Sequence, residues 1–133
     1  RLQSIITQIK AILDEHLDVD VVVLEGLAFM ARNTTALVQL AGLSYLVRDL
    51  LVTRGTPFLI VAPTSLKKFI TGKGIGDKNI MLLETYKRYG HTFLDDNECD
   101  AFGLAKVGVT TGDDISSLTK PQQEVITLIR NQI

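Results

Sequence analysis

The sequence predicts an α/β fold with parallel strands. Residues 21–25 and 58–62 are short apolar runs typical of buried strands, and helical patterns lie before, between and after them. Such a helix–strand–helix–strand–helix order is the pattern of a parallel sheet. Ordinary sheets have about four to six strands. We therefore expect further strands before Arg1 to belong to the native protein and to be absent here, or another chain to supply them.

The first half of the chain supplies both strands and two helices. Apolar residues at helical spacing predict an amphipathic helix over 2–17, which precedes the strand at 21–25. Asn33, Thr34 and Thr35 offer N-cap chemistry for a long apolar helix that ends at Arg54. The second strand follows a Gly-Thr-Pro turn and ends before a proline.

The second half is predicted to be mostly helical. The expected elements are a short helix from Thr64 or Ser65 to Ile70, a glycine-rich loop over 71–76, a helix from Asp77 to Tyr89, a short strand over 91–94, a helix from Asp95 or Asp96 to about Val107 and a terminal helix from Pro121. These bounds rest on capping aspartates, on Gly90 as a helix stop and on proline in a first helical turn.

Composition fits one domain over residues 1–133. The chain is 46% hydrophobic, enough for a core of its own, and too short for two domains. No apolar run approaches the length of a membrane span, so we expect no membrane partner. A lone cysteine, Cys99, excludes an intramolecular disulfide and a cysteine-rich zinc site. It fits a reducing compartment, and we expect a cytoplasmic location.

Charge is distributed unevenly although the net charge is only −1. Residues 54–91 hold seven lysines and arginines against two acids, whereas residues 92–133 hold seven acids and three bases. The first segment could face phosphate and the second a metal ion. Alternatively, both are ordinary solvated faces.

Acidic residues occur at two places suited to chemistry. Glu25 closes the first buried strand, at the end where ligands bind in open α/β sheets, although it could be merely the first polar residue after that strand. Asp96 and Asp100 share one face of a helix, and Asn97 lies three residues before Asp100. An oxygen-rich set of this kind suits Mg²⁺ or Mn²⁺ rather than zinc. Two such ions could activate water against a phosphodiester.

The order of these parts resembles the RuvC family of Holliday junction resolvases, which have an RNase H-like fold. The matching segments span about residues 1–108 and are 23–25, 29–33, 62–68, 71–78 and 96–101. The acidic block Asp-Asp-Asn-Glu-Cys-Asp-Ala most resembles phage-type members. The resemblance implies one nuclease domain with a central mixed sheet flanked by helices, whose N-terminal strands this chain lacks.

Site residues follow from the resemblance position by position. Glu25 and Asp100 match catalytic, metal-binding carboxylates, with Mg²⁺ or Mn²⁺ as the implied cofactor. The family's other helical acid falls at Asn97, so either Asp96 replaces it or Asn97 serves as a neutral ligand. The first-strand aspartate of the family has no counterpart, which agrees with the shortage of strands. The matching lysines near the scissile phosphate are Lys67 and Lys78.

DNA contacts are expected from two segments. The loop after Glu25 offers Phe29, Met30 and Arg32, although Phe29 falls one residue later than the family's aromatic wedge and could instead pack under the helix. The cationic segment offers Lys68 and Lys73 besides the two lysines near the phosphate. Its glycine-rich loop could also be a simple flexible connector.

The long helix over 33–54 is apolar nearly all round. One side would meet the sheet and another a second subunit, with Leu40, Val47 and Leu51 as candidates for a homodimer interface. The resemblance then implies a homodimeric, metal-dependent endonuclease that resolves four-way DNA junctions in a bacterium or a phage-infected cell. The alternatives are a nuclease of the same fold acting on flaps or replication forks, and a DNA-structure-binding protein without catalysis.

Overall fold

The computed structural model describes residues 1–27 and 34–132. Its elements, in chain order, are α1 (Leu2–Glu15), β1 (Val22–Glu25), α2 (Thr34–Arg54), β2 (Phe58–Val61), α3 (Pro63–Thr71), α4 (Lys78–Tyr89), α5 (Asp96–Thr110) and α6 (Lys120–Arg130). Phe29, Met30, Arg32 and the expected cap Asn33 lie outside the described residues.

Two compact units make up the chain, and the first consists of Arg1–Val22 and Leu27–Phe58. Here α1 packs on α2, and an ion pair of 2.7 Å joins Arg54 to Asp14. Val47 and Leu51 are only 7% and 0% exposed. The expectation that these two residues lie in a homodimer interface is therefore wrong, because they are already buried within the chain. Leu40 remains 54% exposed.

A different face of α2 is open to solvent. Val38, Tyr45 and Val52 follow one another at intervals of seven residues, so they share one side of the helix. Their exposed fractions are 65%, 63% and 66%. By length and composition alone, Thr35–Arg54 could also cross a membrane, but core helices and signal sequences pass the same test.

The sheet consists of β1 and β2, which run parallel as predicted. Val22 donates its N–H to Pro57 O at 2.9 Å, and Gly26 donates to Val61 O at 2.7 Å. Gln132 closes the outer edge of β2, since its carboxamide accepts from Ile60 N–H at 3.1 Å and donates to Ile60 O at 2.7 Å. Within residues 1–27 and 34–132 no further strand joins the pair, so the rest of the expected mixed sheet is not seen.

The second unit consists of Val23–Gly26 and Leu59–Ile133, and α3 is its central helix. Helices α4, α5 and α6 all pack on α3, and α4 also packs on α5. The capping of α4 and α5 follows the prediction: Asp77 accepts from Ile80 N–H at 3.0 Å, and Asp95 accepts from Glu98 N–H at 2.8 Å. These caps fix where both helices begin.

Two sequence expectations in this unit are wrong. Helix α3 begins at Pro63 with Ala62 as its N-cap, rather than after a Thr64 or Ser65 cap, because proline suits a first turn that needs no N–H donor. Residues 91–94 form no strand. Instead, the rings of His91 and Phe93 pack 4.9 and 5.2 Å from that of Phe102, so their apolar groups cover α5 rather than extend a sheet.

Candidate active site

Glu25 and Asp100 come from different elements of the second unit. Glu25 is the last residue of β1, and the residue after it is still held in the ladder by the hydrogen bond from Gly26 to Val61. Asp100 lies in the second turn of α5, half-buried. Asp100 contributes to the raised pKa of Glu25, so the strand end and the helix bring the two acids near one another.

The pKa values of both acids are raised. The pKa of Glu25 is raised above its usual value of 4.5, first by loss of hydration and then by repulsion from Asp100. The pKa of Asp100 is raised above 3.8, first by burial and then by repulsion from Asp96. Lys67 opposes both shifts, and Lys78 opposes that of Asp100. The cluster holds three carboxylates, Glu25, Asp96 and Asp100, against these two lysines, and burial adds to the cost of ionising Glu25 and Asp100.

Lys67 and Lys78 act electrostatically on this cluster. Half-buried Lys67 projects from α3 and acts on both acids. Exposed Lys78 opens α4, and its Nζ lies 3.3 Å from Asp96 Oδ2. Asp96 and Asp100 are therefore joined to one group of charges, as their spacing of four residues predicts. Asn97, the alternative third ligand, is exposed in the first turn of α5.

The oxygen atoms of Glu25, Asp96 and Asp100 are of the kind that a hard divalent cation binds, but their arrangement is not a complete metal site. Carboxylates that repel one another are what Mg²⁺ or Mn²⁺ would neutralise. Yet in the described part of the chain no three acids, histidines or cysteines lie close enough to form a complete metal site. Asp96 instead points one oxygen at Lys78. Glu25 and Asp100 are thus the pair best placed to hold a cation, with Asp96 next to them.

A buried polar contact fixes α5 against α4 beside Asp100. The side chains of Cys99 and Thr85 are fully buried, and their Sγ and Oγ1 atoms are 3.3 Å apart. Thr85 also donates to Met81 O at 2.7 Å. The sequence interpretation missed this contact, and the only signal for it was a threonine within α4 and a small residue preceding an acid.

The remaining predicted cations separate into two groups. Lys68 turns toward α6, where its Nζ lies 2.5 Å from Glu124 Oε2. Lys73 is exposed in the glycine-rich loop, which Thr71 pins by accepting from Lys73 N–H at 3.2 Å and donating to Lys67 O at 2.8 Å. Lys73 thus remains available to a phosphate, whereas Lys68 already has a carboxylate partner.

Comparison with known proteins agrees with this fold. Thermus thermophilus RuvC has a similar structure, with a TM-score of 0.60 and 18% sequence identity over 78% of this chain and 63% of that one. The likeness confirms the expected RNase H-like fold, and this chain spans less than two thirds of that protein. None of the curated proteins matches. The family model of the crossover junction endodeoxyribonuclease RuvC matches residues 1–87, which include Glu25, Lys67 and Lys78. The chain therefore belongs to the RuvC family.

Proposed function

We propose that the complete protein is a metal-dependent endonuclease that cleaves phosphodiester bonds in branched DNA and resolves Holliday junctions. The observation that carries this proposal is the meeting of Glu25, from the end of β1, with Asp100, from α5, beside Lys67. Membership of the RuvC family supports the same activity. Such an enzyme would work in the cytoplasm of a bacterium or of a phage-infected cell.

The site residues would divide the work as follows. Glu25 and Asp100 would hold Mg²⁺ or Mn²⁺, with Asp96, or else Asn97, as a further oxygen ligand. When bound, the ion supplies charge neutralisation and a Lewis acid for hydrolysis. Lys67 would pair with a non-bridging phosphate oxygen and stabilise the negative charge that grows there. Lys78, whose Nζ lies 3.3 Å from Asp96 Oδ2, would contact the phosphate beside Lys67.

DNA would follow the cationic side of the second unit. Lys67, Lys73 and Lys78 would line its path, because none of them has a carboxylate partner as close as that of Lys68. The loop after Glu25 would offer Phe29, Met30 and Arg32 to bases at the junction centre, where an apolar wedge can offset the cost of unstacking. Packing of Phe29 under the helix is the alternative for that residue.

The central test uses the carboxylates in the complete protein. We expect Glu25→Gln and Asp100→Asn to lower single-turnover cleavage of a four-way junction at least about a thousandfold, because each removes several kcal/mol of metal-dependent stabilisation. Junction affinity should stay within about threefold. Glu98→Gln, an exposed acid on the same helix, is the matched control and should cleave normally. Normal cleavage by Glu25→Gln would refute the assignment.

Two other functions remain to be separated by substrate. A nuclease of the same fold could prefer flaps or replication forks, and a DNA-structure-binding protein could lack catalysis. Cleavage of matched four-way, fork and flap substrates by the complete protein distinguishes them. A fork or flap preference of more than tenfold would replace the junction as the substrate, and binding without any cleavage in Mg²⁺ or Mn²⁺ would leave only the binding function.

Homodimerisation is proposed through the open face of α2, defined by Val38, Tyr45 and Val52. An exposed apolar stripe of this kind suits burial against an identical stripe, and a two-fold dimer would present two sites to a two-fold junction. In sedimentation equilibrium at micromolar concentration the wild type should be a dimer and Tyr45→Glu a monomer. Tyr86→Glu, an exposed tyrosine on α4, should remain a dimer. A dimer that survives Tyr45→Glu would place the interface elsewhere.

A further inference from the structure

Gly103 of α5 lies against the side chains of α3. A Cβ atom built on Gly103 would lie 2.9 Å from Leu66 Cδ1 and 3.5 Å from two side-chain atoms of Ile70. Leu66 and Ile70 are buried, so neither can swing into solvent to make room. Gly103 is not among the glycines with positive φ, so its backbone does not demand glycine. What favours glycine is the contact with α3, because Leu66 Cδ1 would have to shift to admit a Cβ atom.

This contact stands directly beside the proposed nuclease centre. Gly103 follows Asp100 by three residues, about one helical turn, so the two lie on neighbouring parts of one face of α5. Leu66 immediately precedes Lys67 on α3. The distance between the two helices at Gly103 and Leu66 therefore governs the distance between Asp100 and Lys67.

A second anchor prevents α5 from moving freely. On the other side of Asp100, Cys99 is held against Thr85 of α4, with 3.3 Å between sulfur and oxygen. An added methyl group at position 103 would push α5 away from α3, and because Cys99 lies four residues earlier on the same face of α5, the shift would also disturb this contact. The interior is closely packed, so the shift reaches the side chains of the cluster instead of being absorbed by empty space.

We propose that Gly103, together with the Cys99–Thr85 contact, positions the nuclease centre by fixing the α3–α5 spacing that sets Asp100 opposite Lys67. The inference rests on the proposed function. It assigns Gly103 and Thr85 no chemical role: they act through the helix spacing alone. A misplacement of about 1 Å at a reacting centre can cost about a hundredfold in rate, so even one methyl group should be felt.

The test is Gly103→Ala in the complete protein, read by the steady-state kinetics of four-way junction cleavage. We expect kcat to fall about 10- to 100-fold while KM and junction affinity in EDTA stay within about threefold. Mn²⁺ affinity, measured by calorimetry, should fall as well. Gly112→Ala is the matched control, because its Cβ would meet nothing nearer than 3.7 Å, and it should behave like wild type.

Compensation separates positioning from general stability. Leu66→Val removes the atom that an alanine at position 103 would meet, so the double variant should recover kcat to within about threefold of wild type. A wild-type kcat in Gly103→Ala would overturn the inference, and so would a double variant that regains its Tm but not its kcat.

The experiment distinguishes failure of the positioning role from failure of the proposed function. If Gly103→Ala does not fold, Thr85→Val carries the test: it keeps the shape of the side chain, loses the contact to Cys99 and should lower kcat about fivefold, and an unchanged kcat overturns the inference. A wild type that cleaves no branched DNA refutes the proposed function instead. Active wild type with equally active variants refutes only the positioning role.

Discussion

Two adjacent lysines of α3 face opposite electrostatic surroundings. Lys67 faces Glu25 and Asp100, whose pKa values are raised because burial, and then repulsion from a neighbouring carboxylate, outweigh its attraction. Lys68, about 100° further round the helix, pairs with Glu124 of α6, and the hydrogen bond and charge of Lys68 lower the pKa of that carboxyl. On the Lys67 side of α3 the carboxylates outnumber the lysines, whereas on the Lys68 side one lysine pairs with one carboxylate.

The Lys68–Glu124 pair therefore stabilises the fold, whereas the cluster of Glu25, Asp96 and Asp100 destabilises it. A carboxylate with a lowered pKa gains from its partner, whereas carboxylates with raised pKa values resist being charged together. Perturbed acids of the second kind gather at functional sites, where a bound ligand supplies the missing charge. The unbalanced side of α3 is therefore the side where a cation and a phosphate would be expected.

The largest expected difference is in cleavage. Lys67→Ala should lower single-turnover cleavage of a four-way junction about 100-fold, because it removes the ammonium group next to both acids and to the proposed phosphate position. Lys68→Ala should stay within about threefold of wild type, since Lys68 is occupied by Glu124. Equal losses in the two variants would end the distinction between the two sides of α3.

Smaller effects of opposite sign are expected on the thermal stability of variants at Asp100 and at Glu124. Because the folded pKa of Asp100 is raised above 3.8, the native chain holds that proton more tightly than the unfolded chain, and stability falls as pH rises through the raised pKa. Asp100→Asn should therefore raise Tm at pH 7 in EDTA, and the gain should vanish near pH 3.

Glu124 should respond with the opposite sign. Its folded pKa is lowered below 4.5, so its contribution is present above that pH and is lost as pH falls through the folded pKa. Glu124→Gln should lower Tm slightly at pH 7, since the pair is exposed and screened. Thermal unfolding from pH 3 to pH 8 measures both variants, and a Tm of Asp100→Asn below wild type at pH 7 would contradict the unbalanced cluster.

The smallest expected difference is in the salt dependence of binding. Lys67→Ala, Lys73→Ala and Lys78→Ala should each reduce the log–log slope of junction affinity against salt by about one unit if each lysine contacts one phosphate. Lys68→Ala should leave the slope nearly unchanged. Glu124→Gln sharpens the comparison, because freeing Lys68 should steepen the slope. Unchanged slopes in all three of the first variants would make these lysines an ordinary solvated face.

Local chemistry made much of the fold predictable. Asp77 caps α4, Gly90 ends it in the left-handed region and Asp95 caps α5, and each signal lies within a few residues of the boundary that it sets. A strand end, a helical spacing and the family resemblance predicted that Glu25 and Asp100 share a site. The two acids do lie near one another, and their catalytic role stays a prediction. The two parallel strands followed from short apolar runs.

The features that could not be predicted from the sequence depend on contacts between residues far apart in the chain. Nothing near Lys68 indicates Glu124, which is 56 residues away, so Lys67 and Lys68 looked alike. A helix that is apolar all round does not reveal that Val47 and Leu51 face inward and Tyr45 outward. Residues 91–94 looked like a strand because a short apolar run does not say whether it pairs or packs. A glycine within the apolar part of α5 was the available sign of Gly103, since such glycines often mark close approach.

The burial of Cys99 gives the molecule an internal reporter. The thiol is the chain's sole cysteine, is fully buried between α4 and α5 and directly precedes Asp100. A thiol reagent can reach it only when these helices separate, so the rate of labelling measures how often that happens. Slower labelling on addition of Mn²⁺ or junction DNA would report, without any cleavage, that a ligand at the neighbouring acids closes this part of the protein.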